Sequence, residues 1–559
     1  VAIQSSNPPD VFTLEEWKGL NQQTRRTSID DQEAWWLENL FPLAPGTLRA
    51  MWGPSAPIYT APAGLQILRI FTGYYGNDTP LYGQPPPGRK GFMMLSDGTA
   101  DEVDLDTGLV RHIGQCWLPI SPKFWCSVKV WRPRWVGSQL GEIGGVVIGS
   151  PAGLFAWDGY QLYVPNGPAP LWLTNADTNP FPGMTTMPDP ADLPGIYALE
   201  VYENRLWAVG KDVVAFSMPG NGADFTVTDG GGFVAYFGDR LVHDYVDLQQ
   251  SSGYLFLFGD SSIDVINNVQ MAGGSGTSPA ITNFNYYNIE PTVGQRFPRP
   301  AGRWGRFFTI YNGAGIFEFA GGDAQMIGQK TLDVYNTIDS SPSTFYPTMA
   351  PITMFGMKAM LFNIDAVDPF GVRRSLMLVW HGEQKWSAAS QWLNGVPLNL
   401  TDIVTYEDNS VQTAYGTDRT SFYRLFDHPD PMLPKRLSTK AYIGSKSARI
   451  NIKNWKRIFV ELHDNTMDRD VNAATGVEYN QGPPVGVSLT GTLTTQGGGI
   501  PNGSEDIGFA LREGELHDIL PHSVSGMGIS GAIDLQSTSP DWTLERIHVT
   551  TEERTQYGA

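Results

Sequence analysis

"YLFLFGDSSIDVINN", residues 254–268, sets five aromatic or leucine side chains in a row, breaks at Gly-Asp-Ser-Ser and resumes as an alternating apolar run. Turn-tolerant residues flanked by aromatic and β-branched ones describe an antiparallel hairpin. Side chains alternate across a strand, so Tyr254, Phe256 and Phe258 share one face while Leu255 and Leu257 share the other. Both faces are apolar. A strand of this kind belongs to a small sheet stacked between two others.

The hairpin recurs along the chain. Comparable strand–turn–strand stretches occupy 91–108, 144–164, 204–218, 306–322, 358–386 and 402–427. Their turn centres fall near 98, 153, 210, 259, 313, 370 and 409, most of them 50–57 residues apart. That period suits about four short strands per repeat, as in a β-propeller, whose blades bury their faces only by stacking. The competing reading is a two-sheet sandwich with regular hairpins. Composition agrees with an all-β chain: of 559 residues, 12% are aromatic and only 17% charged, with 62 glycines and 41 prolines. The expected fold is therefore all-β, a β-propeller-like body of six or seven hairpin-based blades with few short helices.

The ends differ from this middle. Residues 1–64 form an N-terminal docking segment in which "TSIDDQEAWWLENLF" (27–41) predicts a short helix, from Ser28 as cap and Asp31 three residues on. "QKTLDVYNTI" (329–338) predicts a second. The propeller-like body spans 65–430. A proline-rich break at 427–437 opens a C-terminal β domain, 431–559, interrupted by the Gly-rich loop 475–506, to be read as an extended hairpin or a mobile segment. Alternation in "SARINIKNWKRIFVEL" (447–462) sets Ala448, Ile450 and Ile452 on one face and Arg449, Asn451 and Lys453 on the other.

Net charge is −19, of which −16 lies in 1–430 and −3 in 431–559. An acidic surface does not grip nucleic acid over its whole extent, because such affinity comes from Lys and Arg neutralising phosphates. One stretch departs from this: Pro431 to Val460 holds Lys435, Arg436, Lys440, Lys446, Arg449, Lys453, Lys456 and Arg457 with no acidic residue. Three readings stand: a solvated basic face, a docking surface for an acidic subunit, or a contact to a DNA backbone. Cys116 and Cys126 read as two reduced, packed thiols. The first residues carry neither the charged region nor the apolar run of a signal peptide, and no stretch reads as a membrane span.

No set of residues stands out as catalytic, cofactor-binding or metal-ligating. Asp101, Glu102, Asp104 and Asp106 lack the bidentate Glu of a calcium loop and read as a solvated hairpin end. His517 with Asp518 and His522, and His463 with Asp464, have spacings without a paired motif. There is no Gly-x-Ser-x-Gly elbow, and the glycine-rich stretches 273–280 and 497–503 lack the Lys-Ser/Thr ending of a phosphate loop.

The stretch 19–64 resembles the opening of tail nozzle proteins of short-tailed bacteriophages, also called tail tubular protein B-like or packaged-DNA stabilisation proteins. The family phrase N-x-F/Y-P … G-x-L-R is matched by Asn39-Leu40-Phe41-Pro42 and Gly46-Thr47-Leu48-Arg49. "LFLFGDSSIDVI" (255–266) and the later order of "KTLDVYNTI", "MLFNID" and "SLMLVWHGEQKW" resemble the family's blades. The similarity runs over 15–460. The resemblance implies a non-enzymatic virion protein, assembled in the host bacterial cytoplasm as a hexameric ring that conducts and retains packaged DNA. Implied partners are sister copies, the head–tail adaptor of the portal complex, tail fibres or spikes, and duplex DNA in transit, with no cofactor. Six copies at −19 would carry about −114, repelling a threaded duplex within a Debye length of about 8 Å. The alternative is a propeller that binds carbohydrate or acts on polysaccharide, with its tryptophans and tyrosines as sugar platforms.

Overall fold

The computed structural model describes residues 10–554 apart from 24, 44–45, 77–84, 117–125, 132–144, 170–186, 189–194, 211–212, 236–244, 260, 274–278, 296–301, 305–306, 313, 339–346, 383–384, 442, 444–451, 466–469, 472–477, 480–484 and 498–501. Tyr254–Gly259 pairs antiparallel with Ile263–Ala272, and Tyr245–Ser251 and Ile281–Glu290 complete a four-stranded meander. Leu255 and Leu257 pack against Trp207, Val209 and Val214 of the preceding sheet. Phe256 and Phe258 pack against Phe308, Ile310 and Phe319 of the following one. Each apolar face of the strand thus meets a different blade, and the β-propeller arrangement follows.

Among the described residues six such sheets are free-standing. Blades 1 to 5 span 67–115, 127–163, 196–235, 245–290 and 302–326. The sixth free-standing sheet, blade 7, joins Asp402–Asp408, Val411–Thr417 and Ser421–Arg424 to an outer strand from far upstream, Tyr59–Thr60. Between blades 5 and 7 lies blade 6, a meander of Thr348–Met354, Met357–Val367, Arg373–Trp380 and Trp386–Ala389 that follows the same order but continues beyond its outer strand. Tyr406, Tyr415 and Phe422 of blade 7 pack on Ile67, Ile70 and Met93 of blade 1, which closes the ring. The Ile70 N–H donates to the Asp402 carboxylate (3.0 Å) and the Thr72 hydroxyl to the Thr405 carbonyl (2.7 Å) across that seam.

In blades 1 to 6 the repeated turn joins the second and third strands. In blade 7 the expected centre near 409 joins the first and second strands, and the equivalent turn is 418–420. With that correction the repeat runs evenly to the last blade. Both hairpins of blade 7 carry turn residues, so composition alone does not phase them.

Residues 27–41 are not helical: Glu33–Glu38 and Leu40–Pro42 are strands. "EAWWLE" is almost wholly buried on both faces. It lies between antiparallel Lys435–Thr439 and, at Glu38, parallel Trp386–Ala389. Pairing on both sides overrides a local capping signal. The second expected helix forms, as a 3₁₀ turn, Gly328–Thr331, that runs into the short α-helix Leu332–Tyr335.

Beyond its outer strand, blade 6 continues through Glu33–Glu38, Lys435–Thr439, Ser530–Ser537, Val487–Gln496 and Gly503–Leu511. A second sheet runs Leu40–Pro42, Leu48–Ala50, Trp542–Arg554, Ile452–Asp464 and His517–Ser523, with Asp10–Leu14 alongside Trp542–Arg554. The two sheets enclose Ile458, Val460, Leu489, Leu493, Ile533, Ile547 and Val549. The N-terminal and C-terminal stretches therefore build one sandwich. Within the glycine-rich stretch, Glu478–Tyr479 pairs with Asp470–Val471, and Val487–Gln496 forms an extended hairpin with Gly503–Leu511.

Candidate interaction surface

The phrase that carries the family resemblance lies where propeller and sandwich meet. Asn39 is fully buried at φ 55°. Its amide donates to Ser390 Oγ (3.0 Å) and the Pro434 carbonyl (2.7 Å), while its Oδ1 accepts from the Ser390 N–H (2.8 Å). The neighbouring Glu38 accepts from Trp36 Nε1 (3.1 Å), Ser390 Oγ (2.9 Å) and both terminal nitrogens of Arg374 (2.6 and 2.9 Å). Burial pushes the Glu38 pKa up, but the Arg374 hydrogen bonds and charge outweigh it and hold the carboxyl below its ordinary value. Arg49 makes a bidentate pair with Asp541 (3.2 and 2.9 Å) and covers the Phe355 ring. Gly46, at φ 104°, passes so close to Glu16 that a Cβ would lie 2.5 Å from its Cα.

The basic run does not form one exposed face. Lys435 is buried and donates to the carbonyls of Asp430 and Ser539, each at 2.9 Å. Desolvation lowers its pKa to about 7, against the opposing pull of Asp430 and Asp541. Lys440 is buried against Asp31. Lys453 is fully buried and reaches the Ile529 carbonyl (3.3 Å), so it is not part of a solvated basic face. Arg436 lies opposite Glu38 in register and over Phe370. Lys456 and Arg457 are exposed, and Lys456 pairs with Glu552 (3.1 Å). Lys446 and Arg449 lie outside the described residues. Much of this positive charge is thus spent inside the fold, a placement that requires the partner strands to be known.

The acidic hairpin of blade 1 is likewise engaged. Asp101 and Glu102 are buried, contrary to a solvated hairpin end. Asp101 accepts from Tyr59 of the closing strand (2.5 Å) and faces His112 Nδ1 (2.8 Å). Glu102 accepts from Trp157 (2.7 Å), Arg111 (3.2 Å) and Tyr75. Asp104 pairs with Lys90, and Asp106 with Arg89. Cys116 and Cys126 are buried, and burial pushes the Cys116 pKa up. Seven tryptophans, 17, 36, 131, 207, 386, 455 and 542, are under 2% exposed, which assigns these rings to the core rather than to sugar platforms.

Charges that sequence inspection missed sit on the first strands of blades 2 to 4, which face one another between blades. Lys129 pairs with Glu200 at 2.8 Å. Asp247 is buried beside them, and desolvation lifts its pKa to about 6 despite Lys129. No spacing rule joins residues 129, 200 and 247, because only the ring brings first strands side by side.

On the outer edges of blades 3 and 4 lies an apolar patch. Val227 and Phe233 are 61% and 65% exposed, and Met271 and Ile281 49% and 57%. Asp229 bridges to Ala280, which ties the 227–230 turn to the end of the long Ile263–Ala272/Ile281–Glu290 hairpin. Among the described residues no helix is long and apolar enough to cross a membrane.

No family model and no curated protein matches this chain. Similar solved structures include BBS1N in complex with ARL6DN, 8% identical, covering 67% of this chain and 97% of that one at a TM-score of 0.38. The N-terminal domain of Nup159 is 10% identical, covering 70% and 98% at 0.29. The computationally designed Ika8 protein is 11% identical, covering 60% and 92% at 0.28. Likenesses this weak carry no inference about function.

Proposed function

We propose that the chain is a structural subunit of the tail nozzle of a short-tailed phage, a ring that conducts DNA during ejection and retains it beforehand. The observation that carries this reading is the position of the resembling phrase: Asn39 and Arg49 sit at the seam that makes propeller and sandwich one block. A tube wall needs such a block, because neighbouring copies transmit load through it. The apolar patch around Phe233 and Met271 supplies a surface for a second copy, since exposed apolar clusters mark association sites. A net charge of −19 per copy suits a bore along which duplex DNA slides without adhering during ejection.

Lys456 and Arg457 are the exposed described members of the basic run, so adaptor docking is assigned to them rather than to buried Lys453. Electron microscopy of the purified protein, alone and with portal–adaptor complexes, tests the assignment. Six-fold rings with a central channel are expected, and Phe233→Asp with Met271→Asp is expected to leave folded monomers. Lone particles in both samples would overturn the reading.

A further inference from the structure

We propose that the outer face of the second sandwich sheet holds a divalent transition-metal site formed by Glu461, His517 and Glu545. One ligand atom from each residue lies within 4.8 Å of the others. The three come from adjacent strands, Ile452–Asp464, His517–Ser523 and Trp542–Arg554. Metal would therefore pin three strands whose chain positions are far apart.

The backbone register points to the same place. Glu461 lies opposite Arg546 and Leu462 opposite Leu544, which leaves Glu545 as the extra residue of a bulge. Bulges re-aim one side chain out of the regular alternation, and here that residue joins Glu461 and His517. Two carboxylates on neighbouring strands repel each other unless a cation lies between them. Arg546 offers partial relief: its Nε is 3.9 Å from Glu461 Oε2 and 3.1 Å from Glu15. The other oxygen of the same carboxylate, Oε1, faces His517 Nε2 at 3.2 Å.

This separation is informative. Ligands bonded at about 2.0–2.1 Å around a tetrahedral zinc stand roughly 3.3 Å from each other. Glu461 and His517 already have that spacing, and a carboxylate oxygen of Glu545 lies within 4.8 Å of both ligand atoms. One imidazole nitrogen with two carboxylate oxygens suits zinc and its first-row neighbours better than calcium, which prefers oxygen alone. The His463 ring, 6.4 Å from that of His517 and opposite it in register, stands next to the site. His522 and Asp464 do not join it: His522 meets the Gly508 carbonyl, and buried Asp464 accepts from the Gly486 N–H.

The test is calorimetric titration of the full chain with zinc chloride after chelator treatment and exchange. One equivalent is expected to bind saturably and to raise the melting temperature. His517→Ala and Glu545→Gln should each weaken binding by at least about tenfold, with His522→Ala unchanged and circular dichroism confirming that each variant folds. If His517→Ala misfolds, His517→Gln replaces it. X-ray absorption of the loaded protein should show nitrogen and oxygen at about 2.0–2.2 Å. No saturable heat, binding that survives both substitutions, or sulfur in the first shell would each overturn the site.

Discussion

Asp247 and Lys435 show how burial sets the charge balance of single residues. The folded-state pKa of Asp247, about 6, lies above the roughly 3.9 of an unfolded aspartate. The fold therefore binds the proton more tightly than the unfolded chain does. The ionised carboxylate costs stability in full above pH 6, and that cost fades as pH falls from 6 toward 4. Asp247→Asn is expected to stabilise the protein at pH 7.5 by on the order of 2 kcal/mol and to change nothing at pH 4, measured by urea unfolding. A difference independent of pH would refute this. Lys435 runs oppositely, because its folded pKa of about 7 lies below the unfolded value near 10.4. Its cost is complete below pH 7 and is relieved as pH rises toward 10. Relative to Lys435→Met, the native protein should gain on the order of 1 kcal/mol per pH unit across that window. Neither shift is legible in the sequence. Lys435 belongs to a run that reads as surface, and only the strands packed over it make it interior.

Elements obey the sequence where they repeat and depart from it where they join. The blade strands are double-faced apolar runs, and their stacking follows from that pattern alone. Glu33–Glu38 has the same two-sided burial, yet its flanking Ser and Asp imitate a helix start. Pairing on both sides holds it as a strand, and at its end Glu38 meets Arg374, which also meets Asp368 (3.0 Å). Removing one member leaves a buried charge, so Arg374→Ala should cost about 3–5 kcal/mol. The pair Glu38→Gln with Arg374→Met should cost less than Arg374→Ala. Chemical denaturation of the set decides this, and additive losses would mean that the two residues do not act as a unit.

At the scale of the whole molecule, chain order and spatial order part company. Tyr59–Thr60 closes blade 7, and Asp10–Leu14, Glu33–Glu38 and Leu48–Ala50 complete the sheets of the C-terminal sandwich. A division at 64 and 431 follows composition but cuts through those sheets. The fragment 431–559 should therefore lack dispersed amide signals by NMR when expressed alone, and regain them when co-expressed with 1–430. A well-dispersed spectrum from the lone fragment would show that the shared strands are dispensable.

The repeating unit, the two-faced apolar character of its strands and the all-β class are legible in the residues alone. These depend on alternation and turn chemistry within a few residues. Which strand closes the ring, which lysines lie inside, and the meeting of Glu461, His517 and Glu545 are set by the folded chain. Each of these brings together residues tens to hundreds of positions apart, and such contacts depend on ring closure and sheet register. Local periodicity carries no record of either.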